Sequence, residues 1–271
     1  MSVIIKIAKG DSLELSPVDE GFAYGEGLFE TIKLSGEGLC FWEAHWSRLA
    51  ASAKALGFDL PAEEAVLEAL REWIAAEGGD AGIVKLSLLR RAESSVLYLY
   101  GREALGSIPD RVCLQVESAT RLNPASLLMG HKSHNYLEAM MLWRRARAAG
   151  FYDCLRLNTE GHLAEASVAN LFFLKAGALY TPAMATGILP GVIRAAVLRL
   201  AMEEKLETNE GHYPLAELAE AEAVFLTNSV AGIVSVASVE NVFESRGQGT
   251  EWVETLRARL ASLERSDSVI P

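Results

Sequence analysis

The predicted order of helices and strands restarts after a polar stretch at residues 117–124, and this break constrains the fold most. Before it, β-branched and apolar runs predict strands at 1–8, 28–34, 83–89, 96–100 and 112–116. Trp46, Leu49, Ala53 and Leu56 recur at helical spacing, and a second helix opens at Pro61. After it, we expect helices over 135–149, 191–205 and 252–263, and strands over 153–157, 165–174, 223–227 and 233–239. The pattern predicts two mixed α/β domains, 1–117 and 126–271, joined by a linker at 118–125.

Composition excludes several classes of protein. The chain has 271 residues, half of them hydrophobic, and a formal net charge of −11. It can therefore bury a sizeable core, and its charge argues against binding to nucleic acid or to an anionic membrane. No apolar run approaches the roughly 18 residues that span a bilayer. The odd, scattered cysteines Cys40, Cys113 and Cys154 predict reduced core thiols in a cytoplasmic protein.

Two separated residues point to one chemistry. Lys132 precedes a predicted helix, and a neutral lysine amine can form an imine with an aldehyde cofactor. Glu165 lies at the head of a predicted buried strand, where a carboxylate needs a partner. Facing a pyridine nitrogen, it would keep that nitrogen protonated and make the ring an electron sink. The pair predicts pyridoxal 5'-phosphate chemistry, although a solvated loop lysine and an exposed glutamate are the ordinary alternatives.

A phosphate site is also predicted. Residues 187–194 form a loop that opens a helix, and free backbone N–H groups at a helix start bind anions. Thr227, Asn228 and Ser229 follow a strand and offer hydroxyl and amide donors. Arg48 would supply a fixed positive charge. Each feature alone is as typical of a capped helix, a strand-end turn or a surface arginine.

Taken together, these segments resemble the fold-type IV pyridoxal-phosphate enzymes. That family contains branched-chain aminotransferases, D-amino-acid aminotransferases and aminodeoxychorismate lyases. The resemblance rests on six segments that occur in the family's order and cover most of the chain, at 21–31, 45–49, 132–137, 165–173, 187–194 and 227–229. It implies a smaller N-terminal α/β domain, a larger C-terminal domain with a β-barrel-like core, and a homodimer.

The resemblance also implies a role for each matching residue. Lys132 would bind the cofactor covalently and Glu165 would contact the pyridine nitrogen. Leu189 would pack under the ring. The implied phosphate ligands are Arg48, the backbone of Val192 and Ile193, and Asn228 with Ser229. Relatives often have threonine where this chain has Ile193, so we expect weaker phosphate anchoring here.

Within the family, the turn at 227–229 favours the lyases, because aminotransferases more often carry a Ser/Thr/Gly turn there. The expected reaction splits 4-amino-4-deoxychorismate into 4-aminobenzoate and pyruvate, with Lys132 as general base and Thr31 as a candidate proton donor. Tyr24 and Glu30 are candidate contacts of a small amine or amino-acid substrate. Tyr24 and Phe22 are equally compatible with packing in the N-terminal core.

Other hypotheses stay open at this point. An aminotransferase of the same fold, acting on branched-chain or D-amino acids, is the main alternative to the lyase. A cofactor-binding protein without activity is another. His131 and His134 are three residues apart, but no third ligand accompanies them, so the sequence predicts no metal site.

Overall fold

The computed structural model describes residues 3–7, 19–36, 38–77, 82–103 and 106–271. Its strands are β1 Ile4–Ile7, β2 Gly27–Ser35, β3 Gly38–Cys40, β4 Ile83–Arg91, β5 Ser94–Arg102, β6 Arg111–Val116, β7 Asp153–Leu157, β8 Leu163–Ala166, β9 Asn170–Lys175, β10 Ala178–Pro182, β11 Thr208–Gly211, β12 Ala223–Asn228, β13 Gly232–Val239, β14 Phe243–Glu244 and β15 Ser268–Val269. Its helices are α1 Glu20–Ala23, α2 Trp42–Leu56, α3 Glu63–Glu77, α4 Leu137–Ala148, α5 Val192–Glu203 and α6 Thr250–Ser266. The predicted long helices are confirmed, with ends that differ by a few residues.

The chain divides into two compact units. The first comprises the described residues up to Gly106, together with His131–Asn135 and Leu263–Pro271. The second comprises Ser107–Gly130 and Tyr136–Ser262. The predicted linker at 118–125 lies inside the second unit, where the N–H of Leu122 donates to the carbonyl of Leu157 at 2.9 Å. Leu122 is buried, so this stretch belongs to a packed element despite its polar composition.

The first unit is a six-stranded sheet in the order β1-β5-β4-β2-β3-β15. Alternation along the strands gives this sheet two different faces. One face joins α2 and α3 in a single apolar cluster that includes Leu28, Ile32 and Trp42. On β2, Phe29 and Thr31 alternate with these core residues, so they lie on the opposite face. The helix-covered face supplies the core, and the opposite face carries polar groups.

The second unit is built on a closed barrel. Its strands pair in the order β9-β12-β13-β6-β7-β8, and β8 pairs again with β9 to complete a ring of six. Side chains that alternate inward, such as Leu171, Phe173, Leu226 and Val236, form one buried cluster. Closure leaves no free edge in this ring. The predicted β-barrel-like core is therefore confirmed.

One predicted strand is two. The sequence predicts a single strand over 165–174, but the structure ends β8 at Ala166 and begins β9 at Asn170. A tight turn joins them, in which the N–H of Ala166 donates to the carbonyl of Ala169 at 2.8 Å. Glu165 consequently belongs to β8 and pairs directly with Asn170 across the turn.

Two predictions based on composition have mixed outcomes. Among the described residues, no helix combines the length and apolar character that crossing a membrane requires. Cys40 and Cys154 are buried free thiols as expected, but Cys113 is exposed, so the prediction of core thiols is wrong for that residue.

Candidate active site

Backbone pairing holds Lys132 against the start of β2. The N–H of Phe29 donates to the carbonyl of Lys132 at 2.9 Å, and the N–H of His134 donates to the carbonyl of Gly27 at 2.8 Å. Gly27 is needed for this approach, because a Cβ there would lie 2.8 Å from a ring carbon of His134. The lysine is thus fixed on the first unit's sheet, although the sequence assigned it to the C-terminal domain.

A second lysine lies beside Lys132. The Nζ atoms of Lys132 and Lys85 lie 4.4 Å and 4.2 Å from the centre of the Phe29 ring. Lys85 also donates to the Thr31 hydroxyl at 2.8 Å. Burial, followed by the neighbouring charge of Lys132, lowers the pKa of Lys85 to about 7. Lys85 was not among the predicted site residues, because its place opposite Thr31 depends on strand pairing that the sequence does not show.

The two histidines beside Lys132 have separate partners. The ring of His134 lies 5.2 Å from that of Phe29, and burial, then the charge of Lys85, lowers its pKa to about 4. His134 is therefore neutral at neutral pH. The ring of His131 contacts the Ser52 hydroxyl at 3.0 Å. The two histidines beside Lys132 in sequence therefore contact different residues, Phe29 and Ser52.

Arg48 donates two hydrogen bonds to the buried carboxylate of Glu30. Glu30 accepts from the Nε and Nη2 atoms of Arg48 at 2.8 and 2.6 Å and contacts the Nδ1 atom of His45 at 2.7 Å. Burial opposes its charge, but Arg48 and then His45 hold the pKa of Glu30 down at about 2. Burial itself lowers the pKa of His45. This arrangement fixes the orientation of Arg48.

The candidate substrate residues Glu30 and Tyr24 differ in their exposure to solvent. Glu30 is 1% exposed and lies on the helix-covered face, so a substrate cannot reach it. We therefore replace the predicted substrate contact by a role in positioning Arg48. Tyr24 and Phe22 are 74% and 59% exposed, which excludes the alternative that they pack in the N-terminal core.

In the second unit, the Glu165 carboxylate is oriented by two donors. Its Oε2 atom accepts from the Nδ2 of Asn170 at 3.1 Å and from the N–H of Leu189 at 3.0 Å. Asn170 also donates to the carbonyl of Leu189 at 3.0 Å. The strand pair and the loop before α5 thus hold one carboxylate in a fixed direction.

The helix start beside this carboxylate leaves its first amides free for a ligand. Gly191 is the N-cap of α5 and, as a glycine, has no side chain that could make a capping bond. The N–H of Ala195 is the first to bond back to Gly191, so the amides of Val192 and Ile193 have no partner within the helix. A Cβ on Gly191 would lie 1.9 Å from the Asn170 Oδ1, so only glycine allows this close approach.

The end of β12 completes the group in the second unit. Thr227 pairs with Asn170, which pairs with Glu165, so the three residues form one row across β12, β9 and β8. The Thr227 hydroxyl is buried, and within the part of the chain that the structure describes it has no hydrogen-bond partner. Asn228 accepts from the N–H groups of Val230 and Ala231 at 3.0 and 2.7 Å. Its carbonyl oxygen therefore shapes the turn, and its amide group remains to act as a donor.

Comparison with known proteins agrees with these features. The family model described as amino-transferase class IV matches residues 27–239. An aminodeoxychorismate lyase from Bacillus subtilis (strain 168) is 31% identical over 84% of this chain and 82% of that protein. A branched-chain-amino-acid aminotransferase from Escherichia coli (strain K12) is 26% identical over 90% of this chain and 85% of that protein. The crystal structure of 4-amino-4-deoxychorismate lyase from Pseudomonas aeruginosa superposes with a TM-score of 0.79 at 29% identity, covering 93% of this chain and 96% of that one.

Proposed function

Because this chain belongs to the class IV aminotransferase family, we propose that it is a pyridoxal-phosphate-dependent lyase that converts 4-amino-4-deoxychorismate to 4-aminobenzoate and pyruvate. The observation that carries the proposal is the 31% identity to an aminodeoxychorismate lyase over more than four fifths of both chains, against 26–28% to branched-chain aminotransferases. The Asn228 turn supports the same choice, since the lyases favour an asparagine there.

The chain's own residues fit the cofactor. Glu165 offers an oriented carboxylate for a pyridine N–H, and Leu189 on the adjoining loop offers an apolar side chain for a ring. The amides of Val192 and Ile193 offer an anion site at the helix start. The buried Thr227 hydroxyl has no hydrogen-bond partner among the described residues, as expected where a ligand supplies one.

The remaining phosphate ligands are proposed on their donor chemistry. Asn228 keeps its amide N–H group available, and Ser229 contributes a hydroxyl at the same turn. The Nε and Nη2 atoms of Arg48 each donate a hydrogen bond to Glu30. A guanidinium has five N–H donors, so one arginine can bind a carboxylate and a phosphate together. Glu30 then acts as the group that aims Arg48 and supports its charge.

Lys132 is the proposed attachment point and general base. Bound pyridoxal phosphate supplies an aldehyde that condenses with amines and a ring that takes up electron density when a neighbouring bond breaks. Lys132 Nζ removes the proton from the substrate carbon that bears the amine, and the C–O bond to the enolpyruvyl group then breaks. Lys85 lies 4.2 Å from the centre of the same Phe29 ring, so a second amine is held beside the proposed base.

Thr31 and Lys85 are the proposed proton source for the leaving group. Breaking the C–O bond releases the enolpyruvyl group as the enolate of pyruvate, which must gain one proton to become pyruvate. The Thr31 hydroxyl accepts a hydrogen bond from Lys85 and so keeps its own proton for donation. A pKa of about 7 lets Lys85 both give and regain a proton near neutral pH. Lys85 would therefore restore the proton that Thr31 donates.

The proposed partners are a small-molecule amine substrate and a second copy of this chain. Phe22 and Tyr24 in the first unit and Leu137 and Met141 in the second are large apolar side chains left exposed. In each unit, large apolar side chains left exposed are typical of surfaces that contact another protein. A cytoplasmic location remains a prediction from the free cysteines.

Product analysis tests the proposal. The enzyme is incubated with 4-amino-4-deoxychorismate alone, and 4-aminobenzoate and pyruvate are quantified. In parallel, a panel of D- and L-amino acids is paired with 2-oxoglutarate. We expect equal amounts of the two products without a keto-acid acceptor. Amino transfer without 4-aminobenzoate formation would contradict the lyase and establish the aminotransferase.

The role of Lys132 is tested in the same assay. The Lys132→Ala variant should lose the visible absorption band of the lysine-bound cofactor and roughly 10³-fold or more of its turnover. Lys54 is exposed on α2, so Lys54→Ala is the matched control and should keep both. Turnover by Lys132→Ala close to that of the unaltered enzyme would refute the assignment.

A further inference from the structure

A cluster of metal-ligating side chains lies in the second unit, apart from the residues proposed for catalysis. Glu160, His162 and His212 each present one ligand atom, and the three atoms lie within 4.8 Å of one another. Glu160 Oε2 is 3.3 Å from Nδ1 of His162 and 4.0 Å from Nδ1 of His212. The two imidazole rings meet edge to face, with centres 5.1 Å apart.

Two chain segments far apart in sequence are held together at this point. Asn158 is fully buried, and its Oδ1 accepts from the N–H groups of Glu160 and His162 at 3.1 and 2.9 Å. Gly161, with φ of +82°, allows the turn between them. The N–H of Leu163 donates to the carbonyl of Tyr213 at 2.7 Å, which brings His212 beside the turn. The backbone thus places the three side chains before any ligand arrives.

One nitrogen of the cluster is buried without the hydrogen-bond partner that a buried polar atom usually has. Nδ1 of His162 is buried and makes no hydrogen bond to any residue that the structure describes. It lies within ion-pair distance of Glu160, but the contact lacks hydrogen-bond geometry. A buried ring nitrogen in this state is costly unless something satisfies its lone pair. This nitrogen lies 3.3 Å from the Glu160 carboxylate, so a cation bound between them would satisfy both groups.

We propose that Glu160, His162 and His212 bind one divalent transition-metal ion of the zinc class. Two imidazole nitrogens and one carboxylate oxygen are a donor set that zinc takes, with water as fourth ligand, whereas calcium and magnesium take oxygen ligands. Bonds of about 2.0–2.1 Å in a tetrahedral site hold neighbouring ligand atoms about 3.3 Å apart, which matches the Glu160–His162 distance. His212 reaches this spacing by a small side-chain movement.

The ion would cross-link the β7–β8 turn to the segment that follows β11. That turn leads directly into β8, which carries Glu165. Metal binding should therefore stabilise the second unit. The site is not visible in the sequence, because His162 and His212 are fifty positions apart and only the fold brings them together.

Calorimetric titration of the tag-free, cofactor-saturated enzyme with zinc chloride tests the proposal. We expect one ion per chain and a rise in the thermal unfolding temperature on binding. His212→Ala and Glu160→Gln should each weaken binding about 100-fold or more and abolish the rise. His212 is partly exposed, so its removal leaves the core intact. Glu251→Gln, at an exposed position on α6, is the control and should bind as the unaltered enzyme does.

Two further measurements make the outcome decisive. Cobalt substitution should give the strong visible absorption of a tetrahedral site in the unaltered enzyme and lose it in His212→Ala. Magnesium should produce no heat of binding at this site. Binding that is unchanged in both ligand variants, or no saturable binding of zinc, would overturn the proposal. Because none of the three residues belongs to the proposed catalytic set, this result is independent of the outcome of the lyase assay.

Discussion

Single buried charges decide the chemistry at the residue scale. Glu30 is held by Arg48 and His45 on the helix-covered face, while Lys85 is held by Thr31 and Phe29 on the other. Both pKa values are lowered, which favours the charged form of Glu30 and the neutral form of Lys85. Glu30 is kept ionised by its partners, and Lys85 is pushed toward its neutral form by burial. Each shift has a consequence for stability that a single substitution reveals.

Glu30→Gln should destabilise the protein by roughly 3 kcal/mol at neutral pH, because it leaves the buried Arg48 charge without its counter-ion. The ordinary pKa of 4.5 falls to about 2 on folding. The carboxylate therefore contributes stability above its unfolded pKa and loses it as the pH falls from 4.5 toward 2. Urea denaturation of both proteins should show a gap that narrows over that window. Glu72→Gln, exposed on α3, should change little; a gap that widens at low pH would contradict the assignment.

Lys85→Met should raise stability near neutral pH. The pKa of Lys85 falls from 10.5 in the unfolded chain to about 7 in the folded one. Below its folded pKa the folded protein carries the full penalty of burying the ammonium, and this penalty disappears as the pH rises from 7 to 10.5. The variant should gain on the order of 2 kcal/mol at about pH 6 and less at about pH 9, as measured by urea denaturation. Lys54→Met is the control; a loss of stability at the lower pH would refute the shift.

At the scale of elements, junctions between strands and helices place the candidate site. β8 and β9 are separate strands, and the turn between them brings Glu165 opposite Asn170. The sequence could not predict this break, because 167–169 is a run of small residues that also suits a continuous strand. The helix start at Gly191 was predictable from its proline and glycine. Its contact with Asn170 was not, because it depends on the packing of α5 against the barrel.

Gly191→Ala tests whether that junction matters to the cofactor. An added Cβ would lie 1.9 Å from the Asn170 Oδ1 and force the side chain away from Glu165 and Leu189. We expect the affinity for pyridoxal phosphate to fall roughly tenfold or more, as for loss of a group that orients a ligand, measured by absorbance titration. Gly106 has open space around its Cα and is the control. Equal cofactor affinity in both variants would show that Asn170 does not orient the site.

At the scale of the whole molecule, the sequence predicted two α/β parts and a barrel but placed their boundary elsewhere. Residues 131–135 belong to the first unit although they follow the predicted linker, because they pair with β2 rather than with neighbours in sequence. Hydrophobic periodicity indicates which residues are buried and not which strands pair. The six family segments could be recognised in the sequence. The neighbours of Lys85 and the cluster of Glu160, His162 and His212 could not, because they depend on which strands pair.

The proposed homodimer can be tested through α4. Ala139, Leu142 and Ala146 are the buried face of this helix, whereas Leu137 and Met141 lie one turn apart and are 68% and 43% exposed. Replacing both exposed residues with glutamate puts two charges where a subunit contact would bury apolar surface. The dimer should weaken roughly 30-fold or more, which is the effect of losing an interface hot spot.

Size-exclusion chromatography with light scattering, run over a range of protein concentrations, measures this change. Met202→Glu introduces a charge at an exposed apolar position on α5 and is the matched control. The unaltered chain and the control should elute with the mass of two chains, and the α4 double variant should shift toward one as it is diluted. If the double variant stays dimeric at every concentration, the α4 surface is not the contact. If the unaltered chain is monomeric, the proposal of a homodimer is refuted. The exposed apolar side chains would then face solvent in the working enzyme.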